Sequence, residues 1–235
     1  YTPIQVSGLT GVKDVAAGID FTVALKTDGI VWAWGDNMGG ALGIGWDSDC
    51  ELSPVQCIGL SGVTAVAAGY HTLALKSDGA VWSWGPNSHG QLGNGTTDGR
   101  AVPAVISGLS GVKAIAAADY STVVLKNDGT VWAWGENGCG QLGDGSTTDR
   151  YVPVRVSGLT GVVAIAAGSE HMLAMKSDGT VWAWGNNYYG ALGNGTETVN
   201  SLVPVQVVGL NLNPVTPTPA IVIATVPSLP VGAVS

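Results

Sequence analysis

Apolar residues alternate with small or polar ones in short runs along this chain, and glycine-rich turns separate the runs. One such series occupies residues 152–184, where four segments follow one another. They span residues 152–156, 162–167, 171–176 and 180–184. Alternation with a period of two is typical of β-strands. Asp178-Gly179 between the last two segments predicts a tight hairpin, since glycine adopts positive φ at no steric cost. The pattern therefore predicts four-stranded antiparallel units.

The last segment of each unit contains a Trp-x-Trp-Gly motif that recurs every 50 residues. The copies lie at 31–35, 81–85, 131–135 and 181–185. A period of this size is typical of propellers and other repeat arrays, in which neighbouring units cover each other's faces. The predicted fold class is all-β, a β-propeller of four-stranded antiparallel blades. The predicted repeats span about 1–53, 54–102, 103–152 and 153–210, and a tail follows at 211–235.

The paired tryptophans are predicted to be core residues. In the fourth copy, Trp182 and Trp184 share one face of the strand, and Val181 and Ala183 share the other. Recurrence at a fixed strand position favours packing between blades over a functional aromatic site.

The number of repeats leaves the closure of the ring open, because four blades could close alone although their shape suits a wider ring. The proline-bearing strand occurs five times and the other three strands four times. Its prolines are Pro3, Pro54, Pro103, Pro153 and Pro204. We expect a partial ring, a fragment or a ring completed by an oligomer. Because an open arc exposes apolar faces, we expect self-association or a protein partner. Tyr1 falls inside a repeat, which suggests a processed or excised piece.

The tail contains no charged residue and includes an apolar run at 220–226. We predict that Ile221, Val222 and Ile223 in this run pair as a strand with a sheet edge of this chain or of another subunit. A truncated stub of a following domain is the alternative.

Composition and charge narrow the classes of function. With 46% hydrophobic and 11% charged residues, the chain is not a disordered protein. The net charge is −8 and the nine basic residues are dispersed, so we expect no nucleic-acid partner. The apolar stretches are too short to span a bilayer.

No pattern predicts catalysis, a metal or a cofactor. The glycine-rich run after each Trp-x-Trp-Gly motif lacks the Lys-Ser/Thr of a phosphate-binding loop, and we interpret it as a tight loop in which an Asn ties backbone groups. Those Asn residues are Asn37, Asn87, Asn137 and Asn187. Asp47, Asp49 and Glu51 alternate as in some calcium loops but lack the glycine and ligand spacing of an EF-hand.

Cys50 and Cys57 are close in sequence. They could form a disulfide, which would suit an exported protein, or remain reduced as small apolar residues. On this basis we expect an extracellular or cell-surface location.

The loops vary most between copies, and binding residues concentrate in loops. Large exposed aromatics dominate binding energy at interfaces, so Trp46, Tyr188 and Tyr189 are the best candidate anchors. The full set of predicted protein-binding residues is Met38, Trp46, Asp47, Asp49, His89, Tyr188 and Tyr189. Ordinary variation of surface residues is the alternative.

The motif His-Thr-Leu-Ala-Leu-Lys, followed by Asp-Gly, Val-Trp-x-Trp-Gly and Gly-Gln-Leu-Gly, is seen most clearly at residues 71–95. It resembles the repeat of the regulator of chromosome condensation family, and the resemblance extends to about Leu210. The resemblance implies a propeller, usually of seven blades, that binds proteins through its loops. The eukaryotic founder exchanges nucleotide on a small GTPase and docks on chromatin, and a similar bacterial protein inhibits β-lactamases. This chain departs from the pattern in having four complete copies and an acidic charge.

The sequence thus predicts a non-enzymatic protein-binding module of an exported or cell-surface protein. One alternative is a structural subunit of an extracellular assembly joined by its C-terminal strand. Another is a regulator of the guanine-nucleotide exchange type.

Overall fold

The structure is a computed structural model that describes residues 2–197 and 199–211. Sixteen strands form four sheets of four. Blade 1 contains β1 (Val12–Ala17), β2 (Phe21–Lys26), β3 (Val31–Asp36) and β4 (Cys50–Gln56). Blade 2 contains β5 (Val63–Ala68), β6 (Thr72–Lys76), β7 (Val81–Gly85) and β8 (Arg100–Val105). Blade 3 contains β9 (Val112–Ala117), β10 (Ser121–Lys126), β11 (Val131–Gly135) and β12 (Arg150–Arg155). Blade 4 contains β13 (Val162–Ala167), β14 (His171–Lys176), β15 (Thr180–Gly185) and β16 (Ser201–Asn211).

Within each blade the strands are antiparallel neighbours in chain order. The predicted all-β class and four-stranded antiparallel blades are confirmed. The proline-bearing strand is the last strand of each sheet, so a blade combines three strands of one predicted repeat with the first strand of the next. The proline-bearing segment around Pro3 belongs to no sheet. The predicted pairing strand with Ile221, Val222 and Ile223 lies outside the described residues.

The first strand of each blade lies innermost, where β1 contacts β5, β5 contacts β9, and β9 contacts β13. These strands are rich in alanine, and small side chains permit the close approach that blades need near their common axis. The described residues thus form an arc of four stacked blades.

The second tryptophan of each motif joins neighbouring blades. Trp84, Trp134 and Trp184 are fully buried. Their indole N–H groups donate to carbonyl oxygens of the preceding blade, at Ala41 (2.9 Å), Gln91 (2.8 Å) and Gln141 (2.9 Å). Trp34 belongs to the first blade and is only half-buried. The predicted core role is confirmed for the three that have a described blade before them.

The first tryptophan of each motif lies nearer the surface and packs under a lysine. In each blade the lysine Nζ lies near the ring centroid of this tryptophan. The pairs are Lys26–Trp32 (5.9 Å), Lys76–Trp82 (4.0 Å), Lys126–Trp132 (5.4 Å) and Lys176–Trp182 (5.7 Å). The ammonium groups therefore lie over the indole faces in cation–π contacts.

Candidate protein-binding site at the loop end

The two ends of the blade stack differ in the loops they carry. At one end, the hairpin end, lie the Asp-Gly turns and the connections between blades. Each turn Asp accepts a hydrogen bond from the backbone N–H two residues later, for example Asp28 from Ile30 at 3.0 Å. This confirms the predicted hairpins. At the other end, the loop end, lie the short loop between the first and second strands and the long glycine-rich loop between the third and fourth strands.

A buried asparagine organises each long loop. Asn137 is fully buried, its Oδ1 accepts from the Leu142 N–H at 3.0 Å, and its Nδ2 donates to the carbonyls of Ser146 (3.0 Å) and Thr148 (3.1 Å). Asn37, Asn87 and Asn187 make the equivalent bond to a leucine N–H. The predicted role of these asparagines is confirmed, and it explains how irregular loops present fixed side chains.

Directly after the buried asparagine, the long loops of the four copies adopt two different conformations. Where the loop contains a glutamine, its Oε1 accepts from the backbone N–H two residues earlier, as Gln91 does from His89 at 2.9 Å and Gln141 from Cys139 at 2.9 Å. The first and fourth copies carry alanine there, and short 3-10 turns form at Met38–Gly40 and Tyr188–Gly190. In them Gly39 has φ 66° and Tyr189 has φ 65°. A left-handed tyrosine is uncommon, and such strain tends to cluster at functional sites.

The predicted binding residues all lie at the loop end, in three groups. Met38, Asp47 and Asp49 line a shallow pocket with Asp36 and Ser48, and Trp46 is exposed in the same loop. Tyr188 and Tyr189 form an edge-to-face pair with centroids 4.6 Å apart, and Tyr189 is 89% exposed. His89 pairs with Asp149 at 3.0 Å and lies 5.0 Å from the Tyr120 ring. Their role in binding stays a prediction.

Charge is distributed unequally between the two ends. The hairpin end carries seven of the nine basic residues, together with Asp14 and the four turn aspartates. The loop end carries the other twelve of the 17 acidic residues and only two basic ones, Arg100 and Arg150. The chain's negative charge therefore belongs to the end where the variable loops lie.

Sequence reasoning missed a group of aromatic and acidic residues that lie on the short loops and at the start of one long loop. We call it the rim cluster: Tyr70, Asp119, Tyr120 and Glu170 of the short loops, and Glu136 of the long loop. Tyr70 and Tyr120 stack with centroids 4.5 Å apart and an interplanar angle of 11°. Burial first, and then the charge of Glu170, raise the pKa of the Asp119 carboxyl, while burial chiefly raises that of Glu136. Burial, and then the hydrogen bond that the Tyr120 hydroxyl donates to Tyr70, raise the pKa of Tyr120 to about 12. Comparing copies could have indicated the cluster, because Tyr70, Tyr120 and Glu170 occupy equivalent positions of successive copies, and equivalent positions of neighbouring blades lie near one another.

Of the two alternatives for Cys50 and Cys57, the structure agrees with the reduced state and not with the disulfide. Cys50, Cys57 and Cys139 are free. Cys50 begins β4 and Cys57 follows its end, so an extended strand of roughly 20 Å separates them, whereas a disulfide needs Cα atoms within about 7 Å. Cys57 is buried, its thiol donates to the Leu42 carbonyl at 3.0 Å, and burial raises its pKa to about 12.

The histidines at the start of the second strands are structural, and the described residues contain no group of three or more His, Cys, Asp or Glu placed to hold a metal ion. His71 is fully buried, and its Nε2 lies 2.6 Å from Thr122 Oγ1 of the next blade. Burial lowers the pKa of His71 to about 3, against a contact from the Asp119 backbone that raises it. The pKa of His171 is lowered for the same reason.

We expect the buried neutral His71 to make the fold less stable in mild acid. Below its ordinary pKa of 6.5 the unfolded chain binds a proton that the native state does not bind until about pH 3, so stability falls as pH falls. The loss between pH 7 and 4.5 is about 2 kcal/mol. We expect the free energy of unfolding in urea to depend less steeply on pH in the His71→Gln variant than in the wild type across this range. Equal slopes in both proteins would contradict a neutral, buried His71. The acidic residues of raised pKa contribute equally to both slopes, because both proteins contain them.

The stacked blades, the asparagine-tied loops and the variable end together define a β-propeller repeat protein of the binding class. The model of the RCC1-like domain family matches residues 1–224, and the chain belongs to this family. In the described part of the chain, no helix has the length and apolar character needed to cross a membrane.

Several solved structures are similar to this chain. Human WBSCR16 is 28% identical, with 91% of this chain and 55% of that one covered and a TM-score of 0.76. Prp20p from Saccharomyces cerevisiae, described together with its binding to Gsp1p and histones, is 24% identical over 88% of this chain and 53% of its own, with a TM-score of 0.77. Yeast RCC1 (Prp20) with Kap60 bound to it is 25% identical over 83% and 48%, with a TM-score of 0.72. The chain spans about half the length of these relatives.

Proposed function

We propose that this protein is a protein-binding propeller that acts through its loop end, without catalysis, and that its partner presents a basic surface. One observation carries the proposal: most acidic residues, the loops that differ between copies, and the exposed aromatics all lie at the loop end. These aromatics are Trp46, Tyr188 and Tyr189. Exposed rigid aromatics supply binding energy, and opposite charge steers the encounter.

The relatives support this class of function. Both yeast structures are of Prp20, which is described with its binding to Gsp1p and histones in one and is bound to Kap60 in the other. The same negative end disfavours a nucleic-acid partner, because phosphate backbones bind clusters of Lys and Arg. An exported or cell-surface location stays part of this proposal, although the free cysteines remove one argument for it. Self-association also stays a prediction, and its proposed tail lies outside the described residues.

The proposal can be tested by panning a displayed peptide library against the immobilised protein. We expect enriched peptides with net positive charge that bind Tyr188→Ala/Tyr189→Ala at least about tenfold more weakly. Val105→Ala is the matched control, because Val105 is an exposed apolar residue at the hairpin end of the outer strand β8, away from the loop tips.

Unchanged binding to the tyrosine variant and to Trp46→Ala would contradict binding through the exposed aromatics. Enrichment of acidic peptides would contradict the basic partner. Thermal melts of each variant establish that its fold is intact.

A further inference from the structure

We propose that the rim cluster between blades 3 and 4 is a binding site for the guanidinium group of an arginine on the partner protein. The inference rests on the proposed function and names the chemistry of one contact within it. The site is built from Asp119, Tyr120 and Glu136 of blade 3, Glu170 of blade 4, and Tyr70 of blade 2.

The three carboxylates form no ion pair in the described part of the chain, and the arginines of the loop end are engaged elsewhere. Arg150 pairs with Asp144 at 2.8 Å, and Arg100 donates to Ser83 Oγ at 2.7 Å. His89 pairs with Asp149, and its charge also lowers the pKa of Glu136. No other described cation acts on the cluster, which leaves room for a cation supplied by a partner.

Asp119 is the second, independent sign of a ligand. Its side chain is only 9% exposed, and although Ser169 donates to the carboxyl, Oδ1 has no hydrogen-bond partner within residues 2–197 and 199–211. A buried carboxylate oxygen without a partner is costly, and such groups are normally paired. Because this oxygen is buried, a donor from solvent can satisfy it once the carboxyl turns toward the rim.

The fold does not require acids at these positions, as the other copies show. Asp119 is equivalent to Ile19, Gly69 and Ser169. Glu136 is equivalent to Asp36, Pro86 and Asn186. All four blades form the same sheet with these different residues, so the carboxylates of the rim cluster are dispensable for folding.

The chemistry favours arginine over lysine or a metal ion. A guanidinium is planar, presents five N–H donors and stacks on aromatic faces, so it can meet carboxylates and the Tyr70–Tyr120 stack together. An ammonium group binds as a point charge without stacking. As noted above, no described set of three acidic, His or Cys side chains is placed for a metal.

The test is a titration of ¹⁵N-labelled protein with three capped amino acids: N-acetyl-arginine methylamide, its lysine counterpart and its citrulline counterpart. Citrulline keeps the shape of arginine without its charge. We expect saturable shifts of the amides of residues 118–121, 136 and 170 with arginine, at a Kd of about 1–10 mM. Lysine should bind a few-fold more weakly, and citrulline at least about tenfold more weakly.

Glu136→Gln/Glu170→Gln should weaken arginine binding about tenfold. Asp28→Asn/Asp78→Asn is the matched control, because it removes the same number of charges at the hairpin end in turns that asparagine also accepts. It should leave arginine binding unchanged. Absence of saturation up to about 50 mM, equal binding of citrulline, or equal loss in the control would each overturn the site.

Failure of this site is distinguishable from failure of the proposed function. Peptides that depend on Tyr188 and Tyr189 but bind the Glu136→Gln/Glu170→Gln protein normally would refute the rim cluster alone. If the panning yields no peptide that binds through the loop end, the broader proposal is refuted.

Discussion

Replacing Trp134 with alanine should destabilise the protein by about 3–5 kcal/mol. The indole is fully buried between blades 2 and 3, and its N–H group donates to the Gln91 carbonyl at 2.8 Å. The substitution leaves a cavity and removes one of the two hydrogen bonds to the Gln91 carbonyl, which keeps only the bond from Thr122 Oγ1 at 3.0 Å. Guanidinium unfolding followed by tryptophan fluorescence and circular dichroism measures the change.

The repeat supplies an internal control for this prediction. Trp34 has the same motif and strand position but is only half-buried. Trp34→Ala should therefore cost less, about 1–2 kcal/mol. Equal losses at the two positions would mean that stacking on the preceding blade does not stabilise the indole.

Replacing Asn137 with alanine should cost about 2–4 kcal/mol. The amide bonds the Leu142 N–H and the Ser146 and Thr148 carbonyls, and alanine can replace none of these bonds. We also expect limited proteolysis to cut within residues 144–149 much faster than in the wild type, because the loop loses its central support.

Asn127→Ala is the control, since Asn127 is exposed in the hairpin turn of the same blade. Its change in unfolding free energy should stay below about 0.5 kcal/mol. If the Asn137 variant lost as little, the loop would be held by its backbone alone, and the fixed geometry of the loop end would need another explanation.

Much of the candidate site could be predicted from the sequence, because loop residues differ between the four copies whereas strand residues recur. Tyr188, Tyr189 and Trp46 were predicted as exposed loop residues, and the structure places them there. The left-handed conformation of Tyr189 was not predicted, since it depends on whether a glutamine two residues later caps the loop. The disulfide alternative for Cys50 and Cys57 is excluded because residues at opposite ends of an extended strand are far apart in space.

The rim cluster shows the limit of sequence reasoning most clearly. Tyr70 and Tyr120 are 50 residues apart, and Glu170 is another 50 away. Nothing local indicates that they meet. Their contact depends on the angle at which successive sheets stack, which no single repeat encodes.

By itself the sequence determined the all-β class, the four-stranded units, the hairpin turns and the asparagine-tied loops, because side-chain alternation and glycine's positive φ act within a few residues. Only the tertiary structure decided that each blade begins one strand later than its repeat, and that identical tryptophans differ in burial. It also decided that acids and tyrosines from separate blades share one rim. The physical reason is that burial and proximity belong to the stacked sheets, so a residue's surroundings depend on the blade beside it.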